Sequence, residues 1–287
     1  MPSERELRRR VRSIKNIQQV TRAMELVAAS KMRRAQAAVL ASRPYEERLR
    51  TVLNELAPYA DPETSPLLAK REVRRVGIVL VTTDRGLVGP MNVNLIRAAL
   101  RFSEQQPAAS FVAVGRKGIN QLRRVRATVT AEFPGIPDRP SSTDTNVIAR
   151  VAVEEFVTGK VDELYLAFTR FVNTLRQEPT IRRLLPFTPG EMEGAQPPPT
   201  LQYLFEPDPE TVLNEVIPRL IEVAVFQTIL ESKASAFSAQ MVAMRNATDA
   251  AGDLIDDLTL SANKARQSRI TKEMLEIASG AEALGKG

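Results

Sequence analysis

From Pro218 onward the chain contains no further proline, and before Gly280 its only glycine is Gly252. Proline costs about 3 kcal/mol inside a helix and glycine about 1, so some sixty residues run almost without a breaker. Through them passes a 3,4-spaced stripe: Leu220, Val223, Gln227, Leu230, Ala234, Phe237, Met241, Met244, Thr248, Ala251, Ile255, Leu258, Ala262 and Ala265. A spacing near 3.5 residues is that of a left-handed coiled coil. At about 1.5 Å per residue, a helix over 210–283 would be roughly 110 Å long. No compact domain of this size is that wide, so the pattern predicts a protruding shaft.

The amino-terminal segment supplies a partner for it. Neither proline nor glycine occurs between Ser3 and Arg43, and Leu7, Val11, Ile14, Ile17, Val20, Met24 and Val27 recur at steps of three or four, as in an amphipathic helix. Ala28–Ala41 is alanine-rich and would let a second helix approach closely. Two terminal helices longer than ordinary globular helices pair most simply antiparallel.

Between them the period changes. Residues 57–72 carry three prolines and read as a connector. Val76–Thr82 is a short continuous apolar run, as in a buried strand. Asn92–Glu104 has helical spacing, Phe111–Val114 reads as a strand closed by Gly115-Arg-Lys-Gly118 and a helix through Leu122, and Thr128–Phe133 as a third strand. Ser142–Gly159 has Ser, Thr and Asp at its start, as helices do. Val161–Thr174 alternates through Leu164, Leu166 and Phe168, and Thr180–Phe187 is one more strand. The order β-α-β-α-β-α-β-β predicts a Rossmann-like α/β domain with a largely parallel sheet, inserted between two long terminal helices that form an antiparallel coiled coil. The expected boundaries are 1–57, 58–208 and 209–287.

The composition excludes several chemistries. The chain has no cysteine and no histidine, which removes disulfides, thiolates, and the commonest general base and metal ligand. No carboxylate pair stands out. Thr82-Thr-Asp-Arg-Gly-Leu-Val-Gly89 lies where a phosphate loop would lie, but matches neither common nucleotide motif. No run of eighteen apolar residues could span a membrane, and MPSERELRRR leads into helix without an apolar signal-peptide core. Residues 1–50 hold 13 Lys/Arg against 5 Asp/Glu, and the remainder 27 against 29, so the +6 net charge resides in the first helix. Such a helix can meet nucleic acid, an anionic membrane or an acidic protein. Nucleic acid is disfavoured by the absence of interleaved aromatics and of a reading motif.

The motifs themselves resemble a known family. Ser13-Ile-Lys-Asn16 with Thr21-Arg-Ala-Met-Glu-Leu-Val-Ala-Ala-Ser-Lys-Met32, Thr83-Asp-Arg-Gly-Leu-Val-Gly89 with Asn92-Val-Asn94, Gly115-Arg-Lys-Gly118, Met241-Val-Ala-Met-Arg-Asn-Ala-Thr-Asp249, and Asn263-Lys-Ala-Arg-Gln267 with Ile270-Thr271 are similar, in that order, to the gamma subunit of bacterial-type rotary F-type ATP synthases. The resemblance covers nearly the whole chain. It implies a single-copy rotor shaft inside a hexamer of alpha and beta subunits, with its α/β domain beside the epsilon subunit and the ring of c subunits. Ion-driven rotation of the ring would be coupled to ATP synthesis and hydrolysis on beta. The chain itself would catalyse nothing and carry no cofactor or metal, and would reach the cytoplasmic face of the bacterial plasma membrane only through its partners.

By the same resemblance, Arg266 and Gln267, with Thr271, belong to a catch on a loop of beta. Met24 and Lys31 lie near an acidic lever of beta, and Tyr203, Phe205 and Glu206 form the foot that touches the ring. Two other readings remain: a basic coiled-coil nucleic-acid adaptor, which salt-dependent DNA binding would reveal, and a Rossmann-like nucleotide enzyme, which saturable nucleotide binding would reveal.

Overall fold

The computed structural model describes residues 3–56, 67–187 and 208–285. They fall into two compact units: Met1–Val27 with Met241–Gly287, and Ala28–Gln240. Ten elements follow one another: α1 (Glu4–Leu56), β1 (Val76–Val81), α2 (Met91–Glu104), β2 (Ala109–Val114), α3 (Arg116–Arg124), β3 (Val129–Phe133), α4 (Ser142–Val157), β4 (Glu163–Phe171), β5 (Gln177–Leu185) and α5 (Pro209–Gly285).

The larger unit is an α/β sandwich. Its five strands are ordered β3-β2-β1-β4-β5; β1 runs parallel to β2 and β4, β2 parallel to β3, and β5 antiparallel to β4. Strand alternation sorts β1 onto two cores. Val76, Ile78 and Leu80 pack with Leu95 of α2 and Ile119 and Leu122 of α3. Val79 and Val81 pack with Ile148 and Phe156 of α4 and with Ile217, Leu220 and Ile221 of α5. Burying each such side chain contributes about 1.5–3 kcal/mol, so covering both faces of β1 explains its continuous apolar run.

Local signals fix the helix starts. Ser141 and Asp144 form a capping box on α4, the Ser141 amide donating to the Asp144 carboxylate at 2.7 Å. At α5 the Asp208 carboxylate accepts from the Thr211 amide at 2.9 Å, and Pro209 takes the first helical position, where its missing N–H costs nothing.

The smaller unit is a two-helix coil. Contacts run antiparallel: Arg269 to Glu4 at 3.1 Å, Gln18 Nε2 to the Thr248 carbonyl at 3.3 Å, and Arg245 to Glu25 at 3.0 Å. In α5 the covered positions are Met244, Ala251, Ile255 and Ala262, as the stripe predicts. In α1 the seam departs from the expected one. Leu7, Val11, Ile14, Gln18 and Thr21 are covered or half-covered, whereas Ile17, Val20 and Val27 are more than half exposed. The heptad runs through polar residues at 18 and 21, and the apolar letters beside them face away. Gly252 lies where α1 comes close, since a Cβ there would meet Gln18 Nε2 at 3.2 Å.

Candidate partner-contact surfaces

Open α/β sheets bind ligands beyond the carboxyl ends of their strands, where strand order reverses. Here that point lies between β1 and β4, and α5 occupies it. Ser235 Oγ donates to the Thr169 carbonyl at 3.0 Å and Ser238 Oγ to the Thr174 carbonyl at 2.6 Å. Ala236 packs against Val88 and Met91. A space beside these contacts, lined by residues including Pro90, Asn94, Thr169 and Gln177, is about 70 Å³, far below the 300–1,000 Å³ of ligand pockets.

The loop after β1 is likewise held by its own chain. The Thr82 hydroxyl donates to the Val114 carbonyl at 2.9 Å and accepts the Gly118 amide at 2.8 Å. The Asp84 carboxylate accepts the amides of Arg116 at 3.1 Å and Gly135 at 2.9 Å. The start of α3, which could hold a phosphate, therefore holds a carboxylate and a hydroxyl of the same chain. Gly115 makes this possible: its φ is +88°, and a Cβ would lie 2.2 Å from the Thr82 carbonyl oxygen. Among the described residues, no group of three or more carboxylates is placed to hold a metal ion, and no helix is long and apolar enough to cross a membrane.

The expected contact residues lie in different surroundings. Arg266, Gln267 and Thr271 are exposed on α5, with Gln267 and Thr271 one turn apart on one face. They take part in no side-chain hydrogen bond or ion pair among the described residues. Beside them Arg269 bridges Glu4 and Glu273, and from 266 to 279 every residue of α5 is exposed. Ile270, Met274 and Ile277, at helical spacing, are 39%, 65% and 73% exposed. Met24 is half-buried in the coil, next to the Glu25–Arg245 pair.

Lys31 belongs to the larger unit, and its charge is already engaged. It donates to Asp138 at 2.6 Å and sits 5.6 Å from the centroid of the Phe237 ring. That hydrogen bond holds the Asp138 carboxyl below its ordinary range, against the opposing effect of partial burial. Tyr203, Phe205 and Glu206 lie outside the described residues. Gln18 and Thr21, which meet Thr248 of the α5 stripe, are contacts between the helices that the apolar pattern of α1 does not mark. The Thr hydroxyls are 2.8 Å apart, and the signal was a heptad step landing on polar letters.

An α/β domain inserted between terminal helices that pair antiparallel defines a coil-bearing α/β protein, with α5 hydrogen-bonded to β4 and the segment after it. A family model described as ATP synthase matches residues 3–284. The chain is 46% identical over 287 residues to the ATP synthase gamma chain of Dehalococcoides mccartyi, covering 99% of this chain and 100% of that one. In structure it is similar, at a TM-score of 0.72 and 20% identity, to a chain of the Euglena gracilis mitochondrial ATP synthase in an assembly with a c-ring, over 98% of this chain and 94% of that one. A chain of the Tetrahymena thermophila mitochondrial ATP synthase central stalk and c-ring matches at 0.62 and 20% identity, over 79% and 99%. The chain belongs to the ATP synthase gamma-chain family. The nucleic-acid adaptor reading finds no support in these comparisons.

Proposed function

We propose that this chain is the central rotor stalk of an F-type ATP synthase, present once per complex. It couples ion-driven rotation of the c ring to ATP synthesis and hydrolysis on the beta subunits. The observation that carries this reading is the far end of α5, where helix 266–279 bears apolar and polar side chains that the described residues leave uncovered. An isolated coil gains nothing from exposing Ile270, Met274 and Ile277 together, whereas a surrounding sleeve of alpha and beta subunits would cover them. The parts of the stalk are the first helix (1–57), the foot (58–208) and the second helix (209–287). The foot meets the epsilon subunit and, through Tyr203, Phe205 and Glu206, the ring.

The chain catalyses nothing itself and meets the cytoplasmic face of the plasma membrane through its partners. Arg266, Gln267 and Thr271 form the catch on beta. Arg offers five donors, and Gln both a donor and an acceptor, so the pair can hold a loop in one rotational state and release it in the next. Met24 lies beside the acidic lever of beta, and Lys31 reaches it by exchanging Asp138 for a carboxylate of the lever.

The test assembles the chain with alpha, beta and epsilon subunits. One copy per three alpha–beta pairs is expected, with ATP hydrolysis by the complex and none by the pure chain. Arg266→Ala and Gln267→Ala remove charge-assisted or neutral hydrogen bonds worth about 1–3 kcal/mol. Each therefore slows turnover of the complex by roughly one to two orders of magnitude, with the melting of the isolated chain unchanged. Unchanged turnover with a chain that melts several degrees lower would make these residues part of the coil's own cohesion.

A further inference from the structure

Within the larger unit, a groove of about 610 Å³ opens between α1, the segment after β3, and α5. Its floor is apolar: Ala35, Ala38, Leu230 and Phe237. Its rim is cationic, with Lys31, Arg34, Arg139 and Lys233 against one carboxylate among the described residues, Asp138. Asp138 is committed to Lys31. Arg34 and Arg139 have no ion-pair partner among the described residues. Lys233 Nζ donates to the Ile136 carbonyl at 2.7 Å, which leaves two of its three protons without an acceptor among the described residues. Burial pushes the Lys233 ammonium down in pKa, with Asp138 and Asp84 opposing and Lys31 and Arg85 adding to the shift.

We propose that this groove binds a small amphipathic anion, a soluble molecule with an anionic oxygen head and one aromatic or short aliphatic body. Each half of the site demands its counterpart. Arg34, Arg139 and Lys233 favour an anion, but a purely inorganic one would leave the open apolar wall, exposed Ala37 with half-buried Ala38 and Pro140, facing water. An apolar body covers them, but without a head it leaves Arg34, Arg139 and Lys233 unanswered. The volume falls within the 300–1,000 Å³ typical of small-molecule pockets and is sized for one ring system rather than a pair of lipid chains. A molecule seated there would touch α1 and α5 at once, and so would oppose any change in their spacing in this unit. The proposal does not depend on the stalk reading, since it concerns the free chain.

The experiment titrates the full chain with anilinonaphthalene sulfonate by calorimetry at low salt, where surface charges are least screened. One saturable site is expected. The uncharged N-phenylnaphthylamine and inorganic sulfate, each carrying half of the chemistry, are expected to bind at least tenfold more weakly. The double variant Arg34→Glu/Arg139→Glu changes only exposed side chains and is expected to weaken the sulfonate at least tenfold, a factor corresponding to 1.4 kcal/mol. Ala38→Phe, which fills the floor, is expected to do the same, with melting measured alongside. No binding by the parent chain, equal binding of the uncharged analogue or of sulfate, or undiminished sulfonate binding by the folded arginine variant would overturn the proposal.

Discussion

The two units hold together by different means. In the larger one, strands buried on both faces meet helices through large side chains, and Phe111, Phe156, Leu164 and Leu166 are almost wholly enclosed. In the smaller one the enclosed apolar positions among the described residues are few, and two of them are alanines: Leu7, Met244, Ala251, Ile255 and Ala262. A polar layer at Gln18, Thr21 and Thr248 interrupts them, and Ile17, Val20, Leu26 and Val27 are left outside. The larger unit also exposes large apolar side chains, Leu87, Val93 and Leu175 among them, but the coil shows as many over a far shorter length of chain. A subunit that must keep its shape while turning inside partners needs both kinds of region.

The sharpest way to break this contrast is to cut into each core. Phe156→Ala, at a fully enclosed ring, is expected to cost about 3–5 kcal/mol, and Ile255→Ala only about 2, the low end for its type, because a thin coil collapses onto the gap. Native-state hydrogen exchange read by mass spectrometry follows each unit's amides separately. An Ile255→Ala cost equal to that of Phe156→Ala would show that the coil core is as dense as the sandwich.

The glycines sharpen the comparison at the next level. Gly115→Ala forces a side chain into left-handed backbone and against the Thr82 carbonyl, where the Cβ distance is 2.2 Å. A loss of at least about 2 kcal/mol is expected. Gly252→Ala meets only the flexible end of Gln18, at 3.2 Å. Removing a helix-interior glycine favours the helix by about 0.5–1 kcal/mol, so a small net gain is expected. Denaturation midpoints of the two variants should move in opposite directions. Movement in the same direction would mean that the coil is as intolerant of added volume as the sheet.

The same contrast governs what could be read from the sequence. The element order of the sandwich was legible because burial on two faces writes itself as continuous apolar runs, as in Val76–Val81. The edges were less so. β5 begins at Gln177 rather than Thr180 and carries Pro179, a residue that an edge strand tolerates but that reads as a breaker. In the coil the stripe of α5 was legible because its apolar letters and its heptad coincide. In α1 they diverge at 17–21, and following hydrophobicity instead of the period chose Ile17 and Val20 over Gln18 and Thr21. The exposed residues proposed as a catch stand out only by resemblance, since nothing in the spacing of Arg266 and Gln267 sets them apart from solvated helix surface. The groove at Lys31, Asp138 and Lys233 joins residues more than 90 positions apart, and no local pattern announces it.

The smallest expected effect is electrostatic and confined to the larger unit. The Lys31 hydrogen bond holds the Asp138 carboxyl below its ordinary value, with Lys233 and Arg85 adding attraction and partial burial opposing. A carboxyl with a depressed folded pKa stabilises the fold fully above its unfolded value, near pH 4. It loses that contribution as pH falls through the depressed value, because the unfolded chain then binds the proton first. The side chain of Asp138 is 50% exposed, so screening limits the contribution to a fraction of a kcal/mol. Asp138→Asn should therefore melt slightly below the parent chain at neutral pH, and the gap should close from about pH 4 downward. Amides of the coil serve as the internal reference and should not respond to this substitution at any pH. A gap that persists in acid would mean that Asp138 acts through its shape and hydrogen bonding, which asparagine disturbs, and not through its charge.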